Sequence, residues 1–466
     1  MLRLLVASLA CTAWAATNTC AAPGAIPLIL DCDPNIDDVL ALAYLAKVGL
    51  YDLKAVIVTS TGFSNPSAGV AIIYRELEML GLGHVDVAVG PFYPKGCSIF
   101  SDGNLDANKA CALMRVVNRE DHFKVDNMYG ALDNKLPHST RHTEYENGNG
   151  MSSLPLAAAE VYKKHIDAGC VTVMTTGPYT SLASFQDKYP ESFAKIETLH
   201  SMGGAVDAGG NVYTIGGNDV SEFNFMADTT AAKEIITSAI PNKFLTSLDG
   251  TNFVSMTHEL FDAFAAIPNP EAEFLTDLTT HARDNWFSGV SGFFGELADG
   301  TSTPATIADG YYLWDPLCAV LSVMPQLAVW QTSTLSVTTS VPVDMNNDGN
   351  LVRDPTGGQV KWTVSLTPEN AEAARTAISD VLKKDCISGQ PLSLTVMADA
   401  FARISADFGT VVGSVFVPHV CDGSAQETLG SAAATAYTCP VGYHCDMGNR
   451  RKLRFGHANA RECVKH

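Results

Sequence analysis

Four aspartates crowd into the eight residues "DCDPNIDD" near the start of the chain. Asp31, Asp33, Asp37 and Asp38 follow one apolar run and precede another. Asp37 and Asp38 alone would be ordinary first-turn residues, since a helix N-terminus favours negative charge. Four carboxylates this close repel one another unless they share protons or hold a cation. The spacing therefore favours a hard divalent ion with oxygen ligands, either Ca2+ or Mg2+.

A second chemistry is compatible with the same residues. An Asp-x-Asp after a buried strand is typical of Mg2+-dependent phosphatases that use an aspartate nucleophile. Such an enzyme would form a phospho-aspartate at Asp31, and it would need a lysine and a further acidic pair downstream. The sequence contains no convincing set of these residues.

Strand and helix patterns alternate around the aspartates. Largely apolar runs predict strands over 26–30, 53–59, 85–89, 170–176 and 244–248, and the segment 195–202 repeats the strand–turn–helix pattern. Helical patterns follow over 38–47, 68–81, 181–188 and 230–240. This alternation predicts an α/β body with an open, mostly parallel, Rossmann-like sheet that has helices on both faces.

Two polar, glycine- and asparagine-rich segments interrupt this alternation. Residues 92–150 and 266–308 are weakly periodic, and we expect both to be long excursions over the carboxyl edge of the sheet, where such folds place their sites. The stretch "DMNNDGNLVRD" (344–354) resembles a calcium loop. Its twelfth position is Pro355 rather than glutamate, so a tight turn is favoured.

The two ends of the chain differ from the body. Residues 1–22 combine Arg3, an apolar stretch and the small-x-small end at 13–15, which is typical of a secretory signal peptide. The apolar run is too short for a membrane anchor. The sequence therefore predicts a secreted protein with a catalytic body over 23–415 and a tail over 416–466.

Cysteine usage supports an oxidising compartment. The chain has 12 cysteines. The Gly/Ser/Ala-rich tail holds four of them: Cys421, Cys439, Cys445 and Cys463. This predicts a small Cys-rich extension with two disulfides whose pairing the sequence leaves open. Cys97 and Cys111 are candidates for a local bridge.

Composition limits the classes of partner. With 466 residues, 17% charged and 46% hydrophobic, the chain is long enough for one large domain or two ordinary ones with a substantial core. Its formal charge of -20 repels nucleic acid and anionic membranes. A neutral small molecule or a cation suits this surface better.

Further motifs lie at the ends of the later predicted strands. They are "TTGPYTSLASF" (175–185), "SMGGAVDAGGNVY" (201–213), "SEFNF" (221–225), "SLDGTN" (247–252) and "DGYYLWDPLCAVL" (309–321). In this order, together with "DCDPNIDD", the stretch 26–385 resembles the nucleoside hydrolase family of calcium-dependent N-ribohydrolases. The Trp-Asp pair, GGAVD and the GNVY…EFN spacing are most similar to the branch that prefers inosine, adenosine and guanosine.

The resemblance implies a role for each matching residue. It implies a Ca2+ site whose ligands are Asp33, Asp38, Asp315 and the backbone carbonyl of Thr176. It implies a ribose pocket lined by Asp37, Met202, Asn211, Glu222 and Asn224. Asp33 would also be the general base that activates a Ca2+-bound water. Trp314 would stack on the nucleobase. We further expect Asp31 to hold Asp33 or that water in place.

The expected activity is cleavage of the N-glycosidic bond of purine ribonucleosides to ribose and free base. The partner would be a nucleoside, with neither nucleic acid nor, after signal cleavage, a membrane involved; a homodimer is left open. A non-catalytic nucleoside-binding protein is the remaining alternative, which the intact set Asp33, Asp38 and Asp315 disfavours.

One loop departs from the family pattern. After the second strand, the resembled branch carries an acidic residue that reaches the base, whereas the loop "TSTGFSN" (59–65) has no carboxylate. Phe63 offers an aromatic face there instead. Asp126 and Tyr129 in the first long excursion are candidates to complete the pocket.

Overall fold

The computed structural model describes most of the body of the chain. The described residues are 21, 24–64, 66–91, 93–96, 156–212, 218–281, 311–340, 344–384, 443–445 and 463–465. Several predictions lie outside them: the signal peptide apart from residue 21, most of the tail, Cys97, Cys111, Asp126 and Tyr129.

One large sheet forms the centre of the described body. Its strands are β1 (Ile26–Cys32), β2 (Tyr51–Val58), β3 (Asp86–Val89), β4 (Thr172–Thr175), β5 (Thr198–Met202), β6 (Asn242–Thr246), β7 (Val329–Val337), β8 (Leu351–Arg353) and β9 (Gly358–Ser365). They lie in the order β3-β2-β1-β4-β5-β6-β9-β7-β8. Neighbours are parallel from β3 to β9, and β7 pairs antiparallel with β9 and β8. The predicted open, mostly parallel sheet is confirmed.

Helices follow most of the parallel strands. They are α1 (Ile36–Val48), α2 (Pro66–Met79), α3 (Leu156–Asp167), α4 (Thr180–Lys188), α5 (Pro190–Phe193), α6 (Phe223–Ala227), α7 (Thr229–Thr237), α8 (Leu248–Thr251), α9 (His258–Ala265), α10 (Pro270–His281), α11 (Trp314–Val323) and α12 (Pro368–Leu382). Of these described helices, none is long and apolar enough to cross a bilayer.

Strand β1 contributes side chains to apolar cores on both faces of the sheet. Its residues Leu28, Leu30 and Cys32 join the apolar cluster that contains α1, whereas Ile29 joins a second cluster that contains Tyr162 of α3. Side chains alternate along a strand, so an unbroken apolar run serves two cores. The same alternation places Asp31 on the Tyr162 side of the sheet.

The strand order creates a crevice at the centre of the sheet. The chain runs outward from β1 to β2 and β3, and then returns to β4 on the other side of β1. In open parallel sheets ligands bind at the carboxyl ends of strands where the order reverses in this way. The motifs after β1, β2, β4 and β5 all lie at this edge.

The prediction of an excursion over 266–308 is wrong for residues 270–281, which form α10. Asn269 caps this helix by accepting a hydrogen bond from the Ala272 amide at 2.8 Å, and Pro270 is its first residue. Ala272, Leu275 and Leu278 are buried. Their spacing of three residues gives the helix an apolar face that the polar residues between them conceal in the sequence.

The segment 344–349 forms a tight turn, as the sequence favours. The Asp344 carboxylate accepts hydrogen bonds from the Asn346 amide at 3.0 Å and from the Asn347 side chain at 2.8 Å. Gly349 has a φ of 86°, in the left-handed region that favours glycine. The turn's own donors therefore occupy the Asp344 oxygens that a calcium loop would direct at an ion.

Cysteines of the body and of the tail have different surroundings. Cys32, Cys170 and Cys318 are buried in the body. In the tail, Tyr443–Cys445 pairs antiparallel with Cys463–Lys465. The two predicted disulfides of the tail stay predictions.

A buried cluster of charged residues lies where helices α1, α2, α10 and α12 meet. The Lys47 ammonium forms an ion pair with Glu271 and donates a hydrogen bond to the Leu382 carbonyl at 2.8 Å. Glu76 of α2 is also buried. Burial first, and then the charges of Glu271 and Asp38, raise the pKa of Glu76 well above its ordinary value of 4.5.

We expect Glu76→Gln to stabilise the protein at alkaline pH. Because the pKa of Glu76 is higher in the folded than in the unfolded chain, its contribution to stability is complete below 4.5 and is lost as the pH rises through the folded pKa. Glutamine stays neutral and avoids this loss. The thermal midpoint should rise by about 1–2 °C at pH 8 for each 1 kcal/mol recovered, since unfolding entropy grows with chain length, and far less at pH 5.

Glu273→Gln is the matched control, because Glu273 lies exposed on α10. Its midpoint should differ from wild type equally at both pH values. A Glu76→Gln midpoint that tracks wild type from pH 5 to pH 8 would contradict the prediction.

Candidate active and metal site

Two helix N-termini bring three carboxylates together. Asp37 and Asp38 lie in the first turn of α1, and Asp315 lies in the first turn of α11. All three are buried, and each offers an oxygen within 4.8 Å of the other two. The positive ends of both helix dipoles favour negative charge at this point. Residues far apart in the sequence thus form one oxygen-rich cluster.

Hydrogen bonds orient the three carboxylates. Asp38 accepts from the Thr176 hydroxyl at 2.7 Å and from the Asn35 amide at 2.9 Å. Asp37 accepts from the Tyr311 hydroxyl at 2.7 Å. These bonds reach both oxygens of Asp38 and Oδ1 of Asp37, and each of these oxygens keeps a lone pair for a further partner.

The cluster is unfavourable without a cation. Burial raises the pKa of Asp37 to about 6 and that of Asp38 to about 7. Burial and the charge of Asp37 raise the pKa of Asp315 well above its ordinary range. Among the described residues, no lysine or arginine side chain hydrogen-bonds to these three. A divalent ion would reverse the penalty, so the donor set fits an oxygen-ligated metal.

Asp33 lies beside the cluster in a space that two glycines create. Its Oδ2 accepts a hydrogen bond from the Phe63 amide at 2.7 Å. A Cβ atom on Gly62 would lie 2.1 Å from Oδ2, and one on Gly177 would lie 2.8 Å from Oδ1. Burial and then the charge of Asp38 raise the pKa of Asp33 well above its ordinary range. Any larger residue at these two positions would displace the carboxylate.

Asp31 lies on the other face of the sheet. Its Oδ2 accepts a hydrogen bond from the Tyr162 hydroxyl at 2.7 Å, and its backbone carbonyl accepts from the Thr176 amide at 2.8 Å. The described hydrogen bonds include none between its side chain and that of Asp33. Its predicted support of Asp33 stays a prediction.

The segment after β5 and the EFN motif meet at the same edge. The Glu222 carboxylate accepts from the Gly204 amide and from the Asn224 amide, both at 2.9 Å. The Asn224 side chain donates to the Thr176 carbonyl at 2.7 Å and to the Met202 carbonyl at 3.5 Å. Burial raises the pKa of Glu222 to about 7. Of the predicted ribose residues, Asn224 therefore contacts the predicted metal-binding carbonyl directly.

Aromatic and amide side chains surround this edge. Trp314 is largely buried, and its ring centroid lies 5.0 Å from that of Tyr311 in an edge-to-face arrangement. The rings of Phe63 and Phe223 lie 5.7 Å apart. Asn211 accepts a hydrogen bond from the Phe223 amide at 2.8 Å. In the described structure, Asn211 therefore helps to fix the EFN segment.

Sequence reasoning missed four residues that shape the site. Tyr162 and Tyr311 donate to Asp31 and Asp37, and Gly62 and Gly177 make room for Asp33. The sequence could have indicated Tyr311, because this residue belongs to the same motif as Trp314 and stands three residues before it. Tyr162 gives no such signal.

The family of the chain follows from comparison with known sequences. The family model described as "Inosine-uridine preferring nucleoside hydrolase" matches residues 28–384, well over half of the chain. The chain belongs to this nucleoside hydrolase family. The match includes every residue of the site described above.

Individual relatives in the family are distant. Nucleoside hydrolase 4 of Arabidopsis thaliana is 31% identical over 299 residues, which are 59% of this chain and 53% of the relative. The pyrimidine-specific ribonucleoside hydrolase RihA of an Escherichia coli strain is 29% identical over 295 residues, which are 61% of this chain and 79% of the relative. The chain thus spans about half the length of the plant relative.

Solved structures show the same fold. A purine-preferring ribonucleoside hydrolase from Gardnerella vaginalis superimposes with a TM-score of 0.56 at 22% identity, over 77% of this chain and 99% of the other. A plant nucleoside hydrolase superimposes with a TM-score of 0.54 at 20% identity, over 77% and 99%. The nucleoside hydrolase fold of the body is confirmed.

We expect Ca2+ to stabilise the protein through the cluster. A ligand that binds only the folded state adds about 2.7 kcal/mol when its free concentration is 100 times its dissociation constant. A thermal melt should therefore shift upward with added Ca2+ and return to its starting point with excess chelator. Asp315→Asn should remove most of this shift.

Asp262→Asn serves as the control, since Asp262 is exposed on α9. It should keep the full Ca2+ shift. Equal shifts in wild type and in Asp315→Asn would exclude the cluster as the ion's site.

Proposed function

We propose that this protein is an N-glycosyl hydrolase that cleaves purine ribonucleosides to ribose and free base with Ca2+ as cofactor. The observation that carries the proposal is the cluster of Asp37, Asp38 and Asp315, with Asp33 beside it, next to the Glu222–Asn224 segment at the switch point of the sheet. A carboxylate cluster that can hold a cation, next to groups that can bind hydroxyls, suits a sugar substrate. Membership of the nucleoside hydrolase family supports the same function.

Asp33, Asp38, Asp315 and the Thr176 carbonyl would hold the ion, with Asp37 in the same group of oxygens. When bound, such an ion supplies a water of lowered pKa and an anchor for vicinal ribose hydroxyls. The residue roles carried over from the family resemblance are part of this proposal.

Asp33 is suited to accept the proton of the attacking water. The Phe63 amide occupies Oδ2 and fixes the carboxylate, while Oδ1 lies toward Gly177 without a side chain in its way. A carboxylate within hydrogen-bond reach of the attacking water can take up its proton as a general base. Carboxylates near the sugar also stabilise the positive charge of an oxocarbenium-like transition state.

The sugar and the base would contact different sides of the crevice. Asp37, Glu222 and Asn224 combine acceptors and donors that match ribose hydroxyls. Trp314 offers a large flat surface for a base. The proposed preference for purines rests on this indole and on the Trp-Asp pair. The distant relative RihA is named as pyrimidine-specific. A test of substrates must therefore include purine and pyrimidine nucleosides.

The phosphatase alternative finds no support at its own nucleophile. Asp31 is buried on the opposite face of the sheet, where Tyr162 donates to it. A nucleophile must reach its substrate, and this carboxylate is enclosed between β1 and α3.

We expect release of reducing sugar from inosine, adenosine or guanosine, more slowly from uridine and cytidine, and none in the presence of excess chelator. Asp33→Asn should lower kcat by about 10²–10⁴-fold, the usual contribution of a general base, without loss of the folded state by circular dichroism. The failure of folded, Ca2+-loaded wild type to release sugar from any nucleoside would disprove the proposal.

We also propose that the chain is exported, with residues 1–22 removed as a signal peptide and with two disulfides in the tail. Expression in a eukaryotic host with the native leader should yield protein in the medium whose N-terminus follows a cleavage within 15–22. Retention in the cell with an intact Met1 would contradict export.

A further inference from the structure

Asp249 binds a run of backbone amides beside the crevice. Its carboxylate is buried and accepts hydrogen bonds from Val206 at 2.9 Å, Asp207 at 2.8 Å and Ala208 at 2.7 Å. The Ser247 hydroxyl donates a fourth bond at 2.9 Å. Three consecutive N–H groups on one charged acceptor form strong, directional bonds.

These amides belong to the loop 203–212, which connects β5 to the residues before the EFN motif. Glu222 holds its beginning through the Gly204 amide at 2.9 Å. Its end is held by bonds from the Gly210 amide to the Asp219 carbonyl at 2.7 Å and from the Asn211 amide to the Ser221 carbonyl at 3.0 Å. Asp249 anchors the middle.

The loop needs this anchor because its own sequence restrains it little. Gly203 and Gly204 both have positive φ, at 155° and 69°. A Cβ atom on Gly203 would lie 2.6 Å from the Phe225 ring, so the position requires glycine. Glycine is flexible in solution, and external hydrogen bonds must therefore select the conformation.

Asp249 itself has a rigid support. The Ser247 amide donates a hydrogen bond to the Thr363 hydroxyl at 3.0 Å, while the single hydroxyl hydrogen of Ser247 is donated to Asp249. Thr363 lies on β9, inside the sheet. The sheet therefore fixes Ser247, Ser247 fixes Asp249, and Asp249 fixes the loop.

We propose that Asp249 is a positioning residue for the ribose-binding side of the crevice. It holds the loop 203–212 so that Glu222 and Asn211 are already placed when the sugar arrives. The inference rests on the proposed function. Since it concerns the placement of binding groups rather than proton transfer, removing the charge should weaken substrate binding more than bond cleavage.

Asp249→Asn tests this, because the side chain keeps its shape but turns an NH2 group toward amide donors. We expect the KM for the preferred nucleoside to rise about tenfold or more, the size of effect that losing a charged hydrogen bond produces. We expect kcat to stay within about threefold. A purely structural role would instead lower kcat, as the fraction of active enzyme falls, with KM unchanged.

Asp207→Asn is the matched control in the same loop. Asp207 is 59% exposed and forms a two-bond ion pair with Arg353 at 2.7 and 2.8 Å. Exposed ion pairs contribute little, so KM should stay within about twofold of wild type. Ser247→Ala keeps the three amide bonds and should raise KM by less than Asp249→Asn; it also provides the test if Asp249→Asn does not fold.

The outcomes separate this inference from the proposed function. If wild type releases sugar and Asp249→Asn has an unchanged KM, the positioning role is wrong and the proposed function stands. If wild type releases no sugar, calorimetric titration with inosine compares the affinities of the two proteins directly. Equal affinity, or no binding by either, overturns the positioning role as well.

Discussion

Mutual repulsion among buried carboxylates is the constraint on which the crevice depends. Asp33, Asp37, Asp38 and Asp315 lose solvation and face like charges at the same time. Two helix N-termini offset part of this cost, and hydroxyl and amide donors offset more. The remaining cost is what a divalent cation would relieve. The cluster therefore lowers the stability of the ion-free protein and creates a strong, local preference for a positive ion.

Backbone amide groups fix the loops around the carboxylate cluster. Phe63, Gly204 and residues 206–208 donate amide hydrogens to Asp33, Glu222 and Asp249 in turn. These buried carboxylate acceptors fix the loops in addition to the few apolar side chains, such as Ala205 and Val212, that the loops bury. The glycines in these loops follow from the same arrangement, because carboxylates and rings occupy the space of a Cβ atom.

Elements that depend on local sequence patterns could be predicted, whereas contacts between distant segments could not be predicted from those patterns. Strands β1 to β6 could be predicted, since largely apolar runs and repeated strand–turn–helix patterns are local signals. Helix α10 was missed, because its three-residue apolar spacing is diluted by acidic and threonine side chains. The meeting of Asp38 with Asp315 could be expected only from the family resemblance, and the contact of Tyr162 with Asp31 depends on how α3 packs, which no local pattern encodes.

Cys32 lies between Asp31 and Asp33, and its position has a chemical consequence. Burial, followed by the charges of Asp38, Asp31 and Asp33, raises the pKa of its thiol well above the ordinary range. Only the thiolate reacts readily with oxidants and alkylating agents. While the sheet is intact this sulfur is therefore protected, although it stands beside the buried carboxylate cluster. Its alkylation would report the opening of strand β1, so one cysteine can serve as a built-in probe of local unfolding at the crevice.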